Sequence, residues 1–291
     1  MIIVHLSGGL GNQMFQYAFG RTLAKRLGVE LKLELTDRTL NIHNGFELDR
    51  IFNIHAKKSS QADLKAVMGL QRFSIIRKAM KVLPLSKLLK SPVVYEPHFH
   101  LSPQMLSLPD NSYVYGYWQS EKYFSEIKNE IRHDFSFKLP ISKPNADLAE
   151  MMSSINSVSL HVRRNDFAKN STINATHGLC SLEHYQTAIQ YIAKRVQQPH
   201  FFVFSDDIDW AERNLKIKFP CQFVNHNQGV ESYNDMRLMS MCKHHIIANS
   251  SFSWWGAWLN SSTDKIVVAP KQWFANEAST QDLIPQSWVR L

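Results

Sequence analysis

The chain opens on an apolar run, Ile2 to Leu6, which breaks at a glycine cluster and gives way to apolar positions at helical spacing as far as Gly28. The short continuous run predicts a buried strand, and the spacing behind it predicts an amphipathic helix. Residues 29–35, VELKLEL, then alternate as a second strand. The opening is therefore a strand, glycine loop, helix, strand unit, the start of a parallel α/β layer. After an irregular region, YVYGYW predicts another strand and a helical stretch follows near Glu121 to Ile131. The segment KLPISKPNAD, with two prolines, is the most linker-like in the chain and predicts a division between Leu139 and Ser153.

Beyond it the rhythm is regular. SVSLHV, HFFVFS, CQFVN, HHIIAN and DKIVVAP predict strands, and SLEHYQTAIQYIAKRV, DIDWAERNL, ESYNDMRLMSMC and FSWWGAWLN predict the helices between them. Ser181 is the expected N-cap of the first helix, with Leu182, Tyr185, Ile189, Ile192 and Val196 as its apolar stripe. Such a succession predicts a doubly wound parallel sheet, which binds ligands beyond the carboxyl ends of its strands. The expected class is α/β with two domains, 1–150 and 151–291.

Composition narrows the class without changing it. The chain has 291 residues, 44% apolar and 20% charged, which excludes disorder and small stapled scaffolds. Cys180, Cys221 and Cys242 lie far apart, so neither a disulfide framework nor a clustered zinc site is expected, and a reducing, cytoplasmic setting fits. There is no basic leader and no run of about 18 apolar residues, so neither a cleaved signal nor a membrane span is expected.

The net charge of +8 is concentrated. Residues 57–90 hold nine basic side chains against one acid, Asp63, which equals the excess of the whole chain. No nucleic-acid reading motif accompanies them, so nucleic acid is not an expected partner. Apolar residues at helical spacing in the same segment (Leu64, Val67, Met68, then Ile75, Ile76, Ala79, Met80, Leu83) leave two readings: peripheral contact with an anionic membrane, or a solvated face of a surface helical hairpin.

Four constellations carry candidate chemistry. Gly8, Gly9 and Gly11 follow the first strand as GGxGN, a loop able to bring N–H groups close to an anion at a helix N-terminus, or simply a tight turn. Neither the GxGxxG fingerprint nor a Walker lysine is present. Asn12 and Gln13 are the polar groups a ligand would meet there. HVRRNDF, His161 to Phe167, ends the first strand of the second half, where a guanidinium fork suits a diphosphate; a salt-bridge cluster with Asp166 is the alternative. FSDDIDW contains the formal metal-binding pattern Asp207-Ile-Asp209, but Ser205 and Asp206 end a strand and Asp207 is placed to cap the next helix. NSSFSWWGAW opens a helix with Asn249, Ser250, Ser251 and Ser253 at its start, again an anion site, while Trp254, Trp255 and Trp258 read as core packing in preference to sugar stacking.

In this order and spacing, GGLGNQMFQYA, HVRRNDF, FSDD and NSSFSWWGAWLN resemble the α-1,2-fucosyltransferases of glycosyltransferase family 11, particularly bacterial ones that build surface polysaccharides. The resemblance implies two Rossmann-like domains facing each other, the GT-B arrangement, with the donor GDP-fucose held mainly by the C-terminal one. It implies inverting, metal-independent transfer to the 2-hydroxyl of a terminal galactose, with no cofactor. The acceptor would be a galactose-terminated oligosaccharide, lipid-linked if it grows at the inner membrane, and another GDP-sugar is the alternative donor. Carried over by motif, Arg163 would grip the β-phosphate with His161 and Arg164 in support. Ser205, Asp206 or Asp207 would meet the guanosine, and Asn249, Ser250, Ser251 and Phe252 would line the pyrophosphate. Gly11 and Asn12 would approach from the opposite domain, Asn12 at the reacting centre. Some relatives place a glutamate further along the HxRR loop, where this chain has Ser171, so the base is expected to be either Asp166, with Asn12 assisting, or the leaving phosphate itself.

Overall fold

The computed structural model describes residues 1–41, 43–73, 75–76, 92–164, 178–275 and 279–291. The chain divides into two units, Met1–Lys138 with Gln281–Leu283, and Leu139–Thr280 with Ile284–Leu291. The boundary expected at 150/151 falls inside a helix, Lys143–Ser154. Leu148 and Met152 of that helix are buried with Phe202, Phe204 and Leu238 of the second unit, so the division falls twelve residues earlier, at Lys138/Leu139.

The first unit holds a parallel sheet of β1 (Ile2–His5), β2 (Leu31–Glu34), β3 (Lys57–Lys58), β4 (Val93–Tyr95) and β5 (Ser112–Tyr115), in the order β3-β2-β1-β5-β4. Helix α1 (Leu10–Leu27) packs on one face. Its Gly20 lies so close to the sheet that a Cβ there would stand 2.3 Å from Val4 Cγ2, so only glycine permits this approach. Helix α2 (Gln61–Met68) covers the other face, burying Leu64, Val67 and Met68 against Ile3, Val93 and Tyr113. This corrects the lipid-facing reading for Leu64, Val67 and Met68, since burying each such side chain favours the core by about 1.5–3 kcal/mol, whereas Ile75 of the same expected stripe is 78% exposed. Lys57 and Lys58 are paired with Glu30 and Asp49 at 3.1 and 3.6 Å. Residues 77–90 of the basic segment lie outside the described residues. The expected helix near Glu121 to Ile131 is two single 3₁₀ turns followed by α3 (Lys128–Asp134).

The second unit is a six-stranded parallel sheet of β6 (Ser157–Val162), β7 (His200–Ser205), β8 (Cys221–Val224), β9 (His244–Ile246), β10 (Val267–Ala269) and β11 (Val289–Arg290), in the order β11-β10-β9-β6-β7-β8. Read from β6 outward, this is the strand order of the dinucleotide-binding fold. All six residues of β6 are buried although SVSLHV alternates polar and apolar: Ser157 Oγ donates to the Met152 carbonyl at 2.8 Å and Ser159 Oγ bonds His245 Nδ1 at 2.9 Å, so both hydroxyls are satisfied inside the protein. The connecting helices are α4 (Lys143–Ser154), α5 (Leu182–Ala193), α6 (Ile208–Asn214), α7 (Tyr233–Met241) and α8 (Ser251–Leu259). Ser181 caps α5, accepting the His184 N–H at 3.1 Å. Leu182, expected in the buried stripe, is instead 40% exposed, and Ala188, not expected there, is buried with Tyr185, Ile189, Ile192 and Val196. Trp254, Trp255 and Trp258 are core residues, with Trp254 and Trp255 fully buried and their rings 5.0 Å apart.

Candidate functional site

In the second unit the chain leaves β6 toward β7 and β8, then returns to β9 on the other side of β6. The loops after β6 and β9 therefore diverge, and ligands of open α/β sheets bind at such a point. β6 delivers Arg163 and Arg164 there, β7 delivers Ser205, Asp206 and Asp207, and the segment after β9 delivers Asn249, Ser250 and Ser251 into the start of α8. Three of the four sequence motifs thus converge through topology alone.

Within this cluster the charges are ordered. Arg163 Nη1 lies 3.1 Å from Asp206 Oδ2, and the Arg164 backbone N–H donates to Asp206 Oδ1 at 2.8 Å. Asp206 therefore holds two successive residues of the arginine pair. Arg164 places its guanidinium over the Trp210 ring, 4.2 Å from the centroid, with Nε 3.6 Å from Asp207 Oδ2. Asp207 also caps α6, accepting the Trp210 N–H at 3.3 Å, and donates its own N–H to Ser205 Oγ at 2.9 Å. Asp206 and Asp207 are thus engaged as props of the arginines and of a helix end. Among the described residues, no group of three or more His, Cys, Asp or Glu is arranged to hold a metal ion.

His161 lies beneath this layer, buried, with its ring 5.9 Å from that of Phe252 on α8. Burial, with Arg163 second, pushes its pKa down to about 3, so the ring is neutral and adds no charge beside the arginine. Ser250 caps α8, its Oγ accepting the Phe252 N–H at 3.3 Å, and the first turn of α8 contains no acidic residue. A guanidinium beside a helix N-terminus is an arrangement that receives a phosphate dianion. Asn249, expected to line a ligand, also has a part in holding the protein together. Its amide donates to the Gly178 and Trp273 carbonyls, both at 3.2 Å, and accepts the Cys180 thiol at 3.4 Å, so it fastens neighbouring loops to the end of β9. Asp166 lies outside the described residues.

The first unit has its own switch point, between β1 and β5. Gly8 adopts φ +78° and a Cβ there would fall 2.4 Å from Asn12 Nδ2, so the loop after β1 needs glycine on both counts. Gly11 is buried in the first turn of α1. Gln13, expected to meet a ligand, is fully buried instead: it donates to the Gly8 and Gly45 carbonyls at 3.1 and 2.8 Å and accepts the Glu47 N–H at 3.2 Å. Asn12 accepts from Gln119 Nε2 at 2.8 Å, which joins this loop to the one after β5. Gln16 adds a second tie, donating to Ser7 Oγ and the Gly116 carbonyl at 3.1 and 2.9 Å.

The loop after β5 was not singled out by sequence. Trp118 sits there at φ +57°, which for a buried aromatic stores about 1–3 kcal/mol of strain. Glu96 holds the strained turn, accepting the Tyr117 and Trp118 N–H groups at 2.6 and 2.9 Å. The only hint in the sequence was a glycine, Gly116, directly after a strand.

The family model for glycosyl transferase family 11 matches residues 1–291. The chain belongs to glycosyltransferase family 11. An α-1,2-colitosyltransferase of Escherichia coli is 36% identical over 294 residues, covering 100% of this chain and 99% of that protein. The O-antigen biosynthesis glycosyltransferase WbnK of Escherichia coli is 33% identical over 307 residues, covering 98% and 99%. Among solved structures, the fucosyltransferase NodZ from Bradyrhizobium aligns with a TM-score of 0.48 at 14% identity, over 88% of this chain and 91% of that one. This member of the family is a glycosyltransferase, and its converging arginine, carboxylate and serine positions come from the segments by which the sequence resembled the family.

Proposed function

We propose that this family 11 enzyme transfers L-fucose from GDP-β-L-fucose to the 2-hydroxyl of a terminal galactose, with inversion at the anomeric carbon. The observation that carries the donor reading is Arg163, held by Asp206 at the carboxyl end of the central strand β6, on the topological switch point that also receives the start of α8. When the sugar–phosphate bond breaks, negative charge grows on the β-phosphate. Arg163 and the α8 N–H groups are fixed in place before that charge develops, which is the preorganisation that lowers such a barrier. Their positive charge takes the part a divalent cation plays elsewhere, and transfer is expected to continue in EDTA. Asp166 is the carboxylate proposed to take the acceptor proton, with the departing phosphate oxygen as the other acceptor.

The acceptor is proposed to be a galactose-terminated glycan, handled by the first unit. A second donor is favoured by one observation: the 36% identical relative is named for colitose transfer in the same α-1,2 linkage. Colitose is fucose without its 3-hydroxyl, so the two readings differ by a single oxygen on the donor. The test is to offer GDP-fucose and GDP-colitose together with lactose and other β-galactosides, and to establish the product linkage by NMR. An α-1,2-fucosyl galactoside as the main product supports the reading. Preferred use of GDP-colitose moves the assignment to the second donor, and transfer from neither to any galactoside contradicts both.

A further inference from the structure

The carboxyl-terminal residues of three adjacent strands of the first unit carry rings. His5 ends β1, Tyr115 ends β5 and Tyr95 ends β4, and these strands are neighbours in the sheet. The parallel register pairs Tyr95 with Tyr115, and Val4 with Val114 one step before His5 and Tyr115, so all three side chains leave the same face of the sheet. One pleat earlier, Ile3, Tyr113 and Val93 occupy that face and are covered by α2. The row His5, Tyr115, Tyr95 lies one step beyond the covered layer.

The rings form a continuous run. His5 stacks on Tyr115 with centroids 4.4 Å apart and planes at 20°, and Tyr95 follows at 5.5 Å and 51°. Tyr115 is 43% exposed and Tyr95 is 38% exposed, although both stand at strand ends where aromatics are ordinarily packed. The run is fixed from behind. His5 Nδ1 bonds Glu34 Oε2 at 2.7 Å, and Glu34, the last residue of β2, also accepts the Tyr113 hydroxyl. The far end of the row is thus clamped by a carboxylate, which keeps the imidazole in the plane on which Tyr115 rests.

We infer that the His5–Tyr115–Tyr95 row is a carbohydrate platform on which the acceptor's pyranose rings stack; the inference rests on the functional reading above and adds the residues that would hold the acceptor. Pyranose C–H faces pack on aromatic rings, and a phenol offers its hydroxyl to a sugar oxygen at the edge of the same contact, which an aliphatic patch cannot do. The place fits, since ligands of open α/β sheets gather beyond the carboxyl ends of the strands.

The test uses the full-length protein with tyrosine rings labelled for NMR and titrates in lactose and methyl β-galactoside. The expected result is that the Tyr95 and Tyr115 ring signals, assigned through their phenylalanine variants, shift on saturation while those of buried Tyr17 and Tyr123 stay in place. In parallel, Tyr95→Leu and Tyr115→Leu, which keep bulk and lose the ring, are expected to raise the acceptor KM at least tenfold and leave GDP-sugar affinity unchanged, while Tyr→Phe variants stay within threefold of wild type. No ring shift at saturating galactoside, or leucine variants with an unchanged acceptor KM, overturns the platform whatever the donor proves to be. Loss of donor binding by the unmodified protein counts instead against the functional reading, and the ring titration, which needs no donor, separates the two.

Discussion

Arg163 and Asp206 are joined across the ends of the adjacent strands β6 and β7, with Nη1 3.1 Å from Oδ2, while the other carboxylate oxygen takes the Arg164 N–H at 2.8 Å. One carboxylate thereby sets both the direction of the guanidinium and the path of the chain that carries it. Asp206→Asn is expected to keep the backbone bond and weaken the charged one, lowering kcat/KM by about tenfold, equivalent to about 1.4 kcal/mol of transition-state stabilisation. Asp206→Ala loses both bonds and should cost more. Steady-state kinetics on the two variants check this; equal activity of D206A and wild type would remove Asp206 from the arrangement.

Asn249 separates a scaffold role from a ligand role. Since its amide binds two carbonyls and a thiol within the protein, Asn249→Ala is expected to cost about 1–3 kcal/mol of stability by leaving buried partners unmet. Thermal or urea unfolding would show the loss. A variant of normal stability with selectively weakened GDP-sugar binding would instead return Asn249 to the ligand.

Much of the second unit was legible because its central strands β6 and β7 are almost wholly buried. FFVF is a continuous apolar run bounded by turn residues, and the helix starts at Ser181 and Asp207 carry capping side chains that bond as the sequence implied, while Ser250, read as an anion contact, caps its helix as well. The first unit was less legible for equally physical reasons. β3 is two lysines, whose strand character comes only from pairing with β2, and β4 is three residues long, too short to show a period. Gln13 was misread because an amide beside a glycine loop suits a ligand or a backbone carbonyl equally well, and tertiary contacts decide which. The His5–Glu34 contact depends on strand register between residues 29 apart, which no local pattern encodes.

Gly8 tests the loop after β1. Gly8→Ala meets both a left-handed backbone and the Asn12 side chain, so a loss of about 1–2 kcal/mol is expected from the backbone alone, with displacement of Asn12 from Gln119 adding a fall in kcat. Gln119→Leu should reproduce the kinetic part without the stability loss. Unfolding curves read beside turnover for the two variants decide; an unimpaired G8A would show that the loop tolerates another path.

The contribution of two buried carboxyl groups to the pH dependence of stability has a definite sign. Burial raises Glu96 to about 7 against the N–H bonds of Tyr117 and Trp118, and burial likewise raises Asp235 to about 7. Both groups bind their proton more tightly folded than unfolded, so their contribution is complete below their ordinary values of 4.5 and 3.8 and is lost as pH rises through about 7. The melting temperature of Glu96→Gln, measured from pH 4.5 to 7.5, should fall less steeply relative to wild type as pH rises, the difference between the two proteins reporting Glu96 alone. An identical slope in both proteins would show that Glu96 does not titrate in this range.

The central claim is that a guanidinium and a helix N-terminus at the end of β6 form the donor site. Calorimetric titration of GDP-fucose into the protein in EDTA, with GDP-colitose and UDP-galactose alongside and Arg163→Ala in parallel, tests it most directly. Metal-free binding of the GDP-sugars is expected, with no binding of UDP-galactose and affinity weakened about a hundredfold in R163A, equivalent to about 2.8 kcal/mol. Binding that requires added Mn²⁺, or that is indifferent to the loss of Arg163, would contradict it.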